Sequence, residues 1–234
     1  MPTLVTGASR GLGLEFARQI AQAGDTVFAT CRDPAAATAL QRVADAAPDR
    51  VRLIPLDVDD PSSIAACAQQ VHTAGIPLDL LVHSAGVWAV GGPASSGPLG
   101  RLEPDALLAV LRTNAVGALA VTQALAPHLG PQATVAHLSS GLGSLARDVP
   151  RDNYGYALSK AALNMVTRYL AEDLADRDVR VVSVDPGWVR TDLGGPSARL
   201  EPAEAVTQVR AVLADLPADA SGRFWNRHGE EVPW

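Results

Sequence analysis

Apolar, β-branched runs alternate with helix-like segments from one end of this chain to the other. The runs are TLVT (3–6), TVFAT (26–30), VRLIPL (51–56), LDLLVH (78–83), ATVAHLS (133–139), VRVVSV (179–184) and GRFWN (222–226). Helical patterns lie between them at 11–23, 34–46, 61–74, 104–126, 155–176 and 202–215, with Pro34, Pro61, Pro104 and Pro202 near their starts, where a missing N–H costs little. Strands separated by helix-length connections pair in parallel, and their helices then cover both faces of the sheet. Several runs are apolar at nearly every position, as strands buried on both faces require. The expectation is a three-layer, doubly wound α/β fold with a seven-stranded, mostly parallel sheet, formed as one unit over residues 1–234. VWAVGGPASSGPLG (87–100), rich in Gly, Ser and Pro, reads as a surface loop beside the cleft, because the alternation resumes after it.

At 234 residues, 47% hydrophobic and 19% charged, the chain can bury a large core. A net charge of −6 and a pI near 5.3 argue against nucleic acid as a partner, since neutralising phosphates takes clustered cations. No Asp, Glu, Lys or Arg stands between Arg112 and Arg147, but Gln, Pro, His and Gly interrupt that stretch, so a buried helix and central strand are expected rather than a membrane span. The N-terminal residues lack the pattern of an export signal, and Cys31 and Cys67 read as two reduced thiols; both point to the cytoplasm.

Two places carry chemistry. In TLVTGASRGLGLEFARQIAQAG, Thr6, Gly7, Gly11 and Gly13 stand where a strand turns into a helix. Glycines there let the backbone approach a pyrophosphate while the helix N-terminus offers free N–H groups and partial positive charge. The second strand ends in Thr30-Cys31-Arg32, with no carboxylate at the strand end to hold an NAD ribose; Arg32 and Arg10 suit the extra phosphate of NADP(H), and NAD(H) is the weaker alternative. Asp33, one position later, reads as the start of the next helix. In LDVDD, Asp57 is placed to meet the adenine edge with Val58 as a backbone contact, or else to cap a turn.

The second place is YALSK (156–160), which holds the only lysine among 19 basic residues. Tyr156 and Lys160, four apart, share one helix face. An ammonium about 4 Å from a phenolate contributes about 4 kcal/mol at an effective dielectric near 20, or about three pKa units, enough to make the phenol a proton donor or acceptor near pH 7. In AHLSSGLGS either Ser139 or Ser140 can turn a hydroxyl into the cleft to polarise a carbonyl, and Asn114 in RTNAVGALAV is a buried amide able to hold a backbone carbonyl and a water near Lys160.

TGASRGLG, HSAG, Asn114, Ser140, YALSK and PGWVRT occur in this order, and with them the chain resembles the short-chain dehydrogenase/reductases over almost its whole length. Within that family ATCRDP, DPGWVRTDLGGPSA and GRFWNRHGEEVPW make it most similar to the small carbonyl reductases of the sniffer and C-factor type. The resemblance implies a Rossmann fold of strand order 3-2-1-4-5-6-7 and a tetrad of Asn114, Ser140, Tyr156 and Lys160. Tyr156 would protonate a ketone or aldehyde oxygen as NADPH delivers hydride, or run the reverse. It further implies cofactor contacts from Thr6, Gly7, Ser9, Arg10, Gly11, Leu12 and Gly13, from Ser84, Ala85 and Gly86, and from Pro186, Gly187, Val189 and Thr191.

Trp88, Tyr154 and Trp188 would line an open pocket for an apolar or aromatic small molecule, and helices 104–126 and 155–176 would pair subunits into a homodimer or homotetramer. Three features depart from the family pattern: His83-Ser84 replaces Asn-Asn, Asp185 precedes Pro186 in place of Asn or His, and Tyr156 follows Ser140 at an interval of sixteen, so that 141–153 should bulge at the pocket. The alternative reading is an NADP(H)-binding regulatory or signalling protein with little turnover. A sugar-nucleotide epimerase ranks last, since it needs a substrate domain for which this length leaves no room.

Overall fold

The computed structural model describes residues 1–148 and 153–234. Seven strands, β1 (Thr3–Thr6), β2 (Val27–Cys31), β3 (Val51–Pro55), β4 (Leu78–His83), β5 (Leu129–Leu138), β6 (Arg180–Asp185) and β7 (Phe224–Asn226), form one sheet of order β3-β2-β1-β4-β5-β6-β7, paired in parallel throughout. Adjacent residues of the central strands feed opposite layers, as the period of two demands. Val5, Val82, Ala136 and Val182 face one core, built on Phe16 and Ile20 of α1 (Gly11–Gln22), Leu40 of α2 (Thr38–Ala46) and Val206, Val209 and Leu213 of α8 (Pro202–Ala214). Leu4, Leu81, Val135 and Val181 face the other, against α3 (Pro61–Ala74), α6 (Gly117–Leu125) and α7 (Tyr154–Asp173).

Local chemistry sets the helix boundaries. Asp60 caps α3 by accepting from Ser62 N at 2.9 Å, Pro61 fills the first turn, and Gly75 at φ +65° ends it. The expected helix at 34–46 begins four residues later: Asp33 accepts from Ala36 N and holds Pro34–Ala36 in a turn, so α2 starts at Thr38. Within 87–100 a short helix α4 (Pro93–Ser96) interrupts the loop.

The uncharged stretch forms the later part of one continuous helical rod, Pro104–His128, long and apolar enough to cross a bilayer, with a mean hydropathy of 1.3 over an 18-residue window. Here Val110, Asn114, Ala115, Ala118, Val121 and Leu125 are buried on it, which makes it a core helix. The rod is not uniform. Between α5 (Pro104–Leu111) and α6 it widens into one π-helical turn, Arg112–Val116, centred on Asn114. Directly after it, Gly117 lies where an added Cβ would meet Val58 O at 2.9 Å, so only glycine lets the rod press on the loop after β3. Such π turns inside α-helices recur at functional sites.

Candidate active site

The strand order reverses between β1 and β4, and the crevice beyond their carboxyl ends is where an open α/β sheet binds ligands. On one side the Gly7–Gly13 turn is too crowded for side chains: a Cβ on Gly7 would stand 2.7 Å from Ala85 Cα, and one on Gly13 would stand 2.4 Å from Gly7 O. Thr6 ties this turn to the end of β4, its hydroxyl accepting from Ser84 N and Ala85 N at 3.1 Å each. Ser9 and Leu12 are half-buried in the turn.

No side chain caps the N-terminus of α1 and its first turn holds no acid, so its N–H groups and positive end remain for an anion. Thr191 packs its methyl 3.4 Å from the Cβ position of Gly11, and between them opens a cavity of about 320 Å³ edged by Arg10, Arg190 and Asp192. The glycine turn and the uncapped end of α1 suit a pyrophosphate group, while the carboxylates of Glu15 and Asp192 also line the cavity.

The two arginines separate. Ala8 N donates to Thr30 O at 2.8 Å, which holds the glycine turn against the end of β2, where Arg32 is exposed. Arg10, expected beside Arg32, reaches instead to Asp192 at 3.0 Å across the cavity, because the segment after β6 offers it a carboxylate. Asp57 caps its own turn, accepting from Asp59 N at 3.0 Å, and Val58 bears on Gly117. His83, the first departure, is fully buried with Nε2 2.8 Å from the Thr122 hydroxyl, so Ser84 and Ala85 keep their backbone link to Thr6.

On the other side stand the four polar residues singled out for chemistry. Asn153 caps α7, accepting from Tyr156 N at 2.9 Å and donating to Trp88 O at 2.9 Å, which fixes both the helix start and the Trp88 loop. Trp88 packs on the Tyr156 ring, centroids 4.8 Å apart. Tyr156 and Lys160 are 7% and 5% exposed, with Lys160 Nζ 5.5 Å from the phenol ring centroid and donating to Leu138 O at 2.7 Å. The two serines diverge: Ser139 turns into the core and donates to Asn164 Oδ1 at 2.6 Å, whereas Ser140 Oγ accepts from Leu142 N at 3.2 Å and stays on the cleft side, where its hydroxyl pulls the pKa of the Tyr156 phenol down.

Asn114, presented by the π turn, grips Val87 from both sides. It accepts from Val87 N at 2.8 Å, donates to Val87 O at 2.9 Å and donates to Ser159 Oγ at 2.9 Å. Gly86 lies between Asn114 and the lysine; a Cβ there would be 3.3 Å from Asn114 Oδ1 and 4.0 Å from Lys160 Nζ.

The expected acidity of Tyr156 is not found in the protein by itself. Burial, and next the Asp185 carboxylate, push the phenol well above its ordinary range, against the Ser140 hydroxyl that pulls it down. Burial also lowers Lys160 to about 8, with Asp185 opposing. Desolvation outweighs attraction here because the ammonium spends its contact on Leu138 O.

Beyond β6, Gly187 at φ +83° donates its N–H to Asp185 Oδ1, Val189 is buried in a bridge to Leu200, and Pro186 is buried. Of the three aromatic residues expected at the pocket, Trp88 alone touches Tyr156 among the described residues. Tyr154 is half-exposed, and Trp188 is largely exposed with Nε1 bonded to Gly194 O at 2.7 Å, drawn off by that carbonyl. The expected bulge between Ser140 and Tyr156 falls partly on 149–152, outside the described residues; Gly141–Gly143 form a tight 3-10 turn packed on Lys160. Asn164 and Arg147 fix the site without any motif signal; sequence reasoning also misses Ser159, inside YALSK, and Asn153, although a polar residue two positions before an expected helix is a cap signal.

A family profile described as enoyl-(acyl carrier protein) reductase matches residues 7–218. The C-signal protein of Myxococcus xanthus is 39% identical over 163 residues, covering 68% of this chain and 93% of its own. A short-chain dehydrogenase/reductase of Burkholderia multivorans with bound NADP superposes with a TM-score of 0.89 at 34% identity, over 100% of this chain and 99% of that one. The NADPH-bound carbonyl reductase from chicken fatty liver superposes with a TM-score of 0.92 at 33% identity, over 100% and 94%.

Proposed function

We propose, from the premise that this chain belongs to the short-chain dehydrogenase/reductase family, that it is an NADP(H)-dependent oxidoreductase that reduces a ketone or aldehyde to an alcohol. One observation carries the reading: the only lysine is buried with its Nζ 5.5 Å from the ring centroid of a buried tyrosine, at the edge of a glycine cradle on a bare helix N-terminus. NADPH, when bound, would supply the hydride.

Every other step belongs to the chain. Thr6, Gly7, Gly11 and Gly13 shape the turn for the pyrophosphate, and Arg32 meets the phosphate on the adenosine ribose, the group that sets NADPH apart from NADH. Ser140 donates to the substrate oxygen and Tyr156 gives up its proton to it; the phenol is protonated at pH 7, and the neighbouring Lys160 ammonium offsets part of the burial that weakens it as an acid. Lys160 holds the cofactor ribose and stabilises the phenolate left behind. Asn114, by clamping Val87, keeps the Trp88 loop and the Gly86 wedge in place, beside a water through which the proton returns. Trp88 on Tyr156 supports an apolar or aromatic substrate.

An apolar stripe supports a homo-oligomer: Leu108, Val116 and Leu119 on the long rod and Leu158, Met165 and Tyr169 on α7 are exposed. Light scattering at the mass of one chain would contradict that association. The test of the reaction is NADPH oxidation against a panel of aromatic aldehydes and diketones. Turnover in the parent and a loss of at least about a hundredfold in Tyr156→Phe supports it; tight NADPH binding without turnover of any carbonyl favours a sensor.

A further inference from the structure

Ser140 stands at the start of a short turn whose far end is held from another part of the chain. Gly143 N donates to Ser140 O at 2.9 Å, Leu142 N to Ser140 Oγ at 3.2 Å and Ser144 N to Gly141 O at 3.2 Å, which closes residues 140–144 into one unit. Its inner side is fixed by α7: a Cβ on Gly143 would meet Lys160 C at 2.7 Å, and Asn164 Nδ2 donates to Gly143 O at 3.3 Å.

Beyond Gly143 the segment has little of its own to hold it. Ser144 is buried, but Leu145 is 88% exposed and Ala146, Arg147 and Asp148 are exposed too, so no apolar burial anchors them. The pair of Arg147 with Asp185, 4.0 Å apart and half-exposed on the arginine side, adds little. Among the described residues, what holds this stretch is a pair of bonds to the chain after β7. Ser144 Oγ donates to Pro233 O at 2.6 Å while accepting from Arg147 N at 3.2 Å, and Ala146 N donates to Trp234 O at 2.9 Å.

Those two carbonyls are themselves fixed. After β7 the chain turns at Gly229, φ +80°, and comes back antiparallel, Trp225 bridging Glu231 and Val232 N donating to Phe224 O at 2.7 Å. Val232 is buried, and the Trp234 ring stacks on the fully buried Phe224, centroids 5.6 Å apart and planes 20° apart.

We propose that Pro233 and Trp234 form a strap and that Trp234 is a positioning residue for the carbonyl end of the site. Its stack on Phe224 fixes the two carbonyls that pin Ser144 and Ala146, and through the 140–144 turn it sets the hydroxyl of Ser140. The role of Ser140 rests on the proposed reaction; the strap is measured without it.

Amide exchange followed residue by residue in 15N-labelled protein reads the strap directly. Trp234→Ala should speed exchange at Leu142, Gly143, Ala146 and Arg147 by at least about tenfold while the amides of β4 and β5 stay as slow as in the parent. Trp234→Phe, which can still stack, should restore protection. In the NADPH-dependent assay Trp234→Ala should lower kcat for an aromatic ketone about tenfold, leave KM for NADPH unmoved because the glycine cradle lies across the crevice, and be rescued by Trp234→Phe. A general loss of stability would speed exchange in the sheet as well.

Unaltered exchange at 142–147 in folded Trp234→Ala overturns the proposal, and so does faster exchange with an undiminished kcat. Should that variant not fold, Ser144→Ala, which removes the bond to Pro233 O, decides alone: faster exchange at Leu142 and Gly143 together with a lower kcat supports the strap, and either one without the other overturns it. If the parent binds NADPH but turns over no carbonyl, the proposed reaction falls, and exchange at Leu142 and Gly143 still judges the strap by itself.

Discussion

Acidification from pH 7 to 5 should destabilise this protein by about 4 kcal/mol through two histidines. His83 and His137 occupy paired positions at the carboxyl ends of β4 and β5, rings 4.9 Å apart, and both are completely buried. Each is held by a threonine, His83 Nε2 on Thr122 and His137 Nδ1 on Thr167, both at 2.8 Å, while His137 Nε2 has no partner among the described residues. Burial lowers His83 to about 3 and His137 well below the ordinary value, with His83 and Lys160 adding repulsion to the latter.

The sign follows from which state binds more protons. Below about pH 6.5 the unfolded chain protonates both rings and the folded chain neither, so stability is full above 6.5 and is lost as pH falls toward the folded values. Two protons give a limiting slope of about 2.7 kcal/mol per pH unit; between pH 7 and 5 each ring contributes about 2 kcal/mol. Glu15 and Asp60 are lowered and titrate below this window, while His128, lowered by burial and by His72, adds a small effect of the same sign. The assay is the urea midpoint at pH 7, 6 and 5, where the loss amounts to about 1.5 M at a slope of about 2.5 kcal/mol/M. His83→Asn should halve the pH dependence. An unchanged midpoint from pH 7 to 5, or a His83→Asn variant as pH-sensitive as the parent, would refute the reasoning.

Three shorter predictions concern the site. Gly13→Ala drives a methyl against Gly7 O and Gly7 C, which are backbone atoms with nowhere to go, and should cost about 1–3 kcal/mol in stability with loss of NADPH binding by fluorescence titration; unaltered binding would contradict the tight turn. Asn114→Ala strips Val87 N–H, Val87 C=O and the Ser159 hydroxyl of a buried partner and should lower the thermal midpoint by an amount equivalent to about 2–4 kcal/mol, where a surface residue would cost under about 0.5. Arg32→Ala should raise KM for NADPH about tenfold and leave KM for NADH unchanged; equal use of both cofactors by the parent would sink the assignment.

The sheet was legible because its strands are buried on both faces and so are written as unbroken apolar runs, and LDLLVH coincides residue for residue with β4. Motifs carried by local geometry were legible too: the glycine turn and the four-residue spacing of Tyr156 and Lys160 need no tertiary knowledge. Hidden from view was whatever depends on where distant segments meet. Arg10 is an NADP ligand or an ion-pair partner according to whether Asp192, 182 residues away, folds over it. Trp188 reads as a pocket residue until Gly194 O captures its indole. The Tyr156 acidity failed for a related reason: helix spacing places an ammonium near a phenol, but the burial that outweighs it comes from the sheet, and the opposing charge from the end of β6.

The most direct test follows the hydrogen itself. NADPH carrying deuterium at the transferable C4 position, incubated with an aromatic ketone that the parent turns over, should place deuterium on the carbinol carbon of the alcohol; Tyr156→Phe should still bind NADPH yet transfer almost none. Deuterium in the alcohol at an undiminished rate from Tyr156→Phe would contradict the account, as would a parent that binds NADPH and yields no labelled alcohol from any carbonyl.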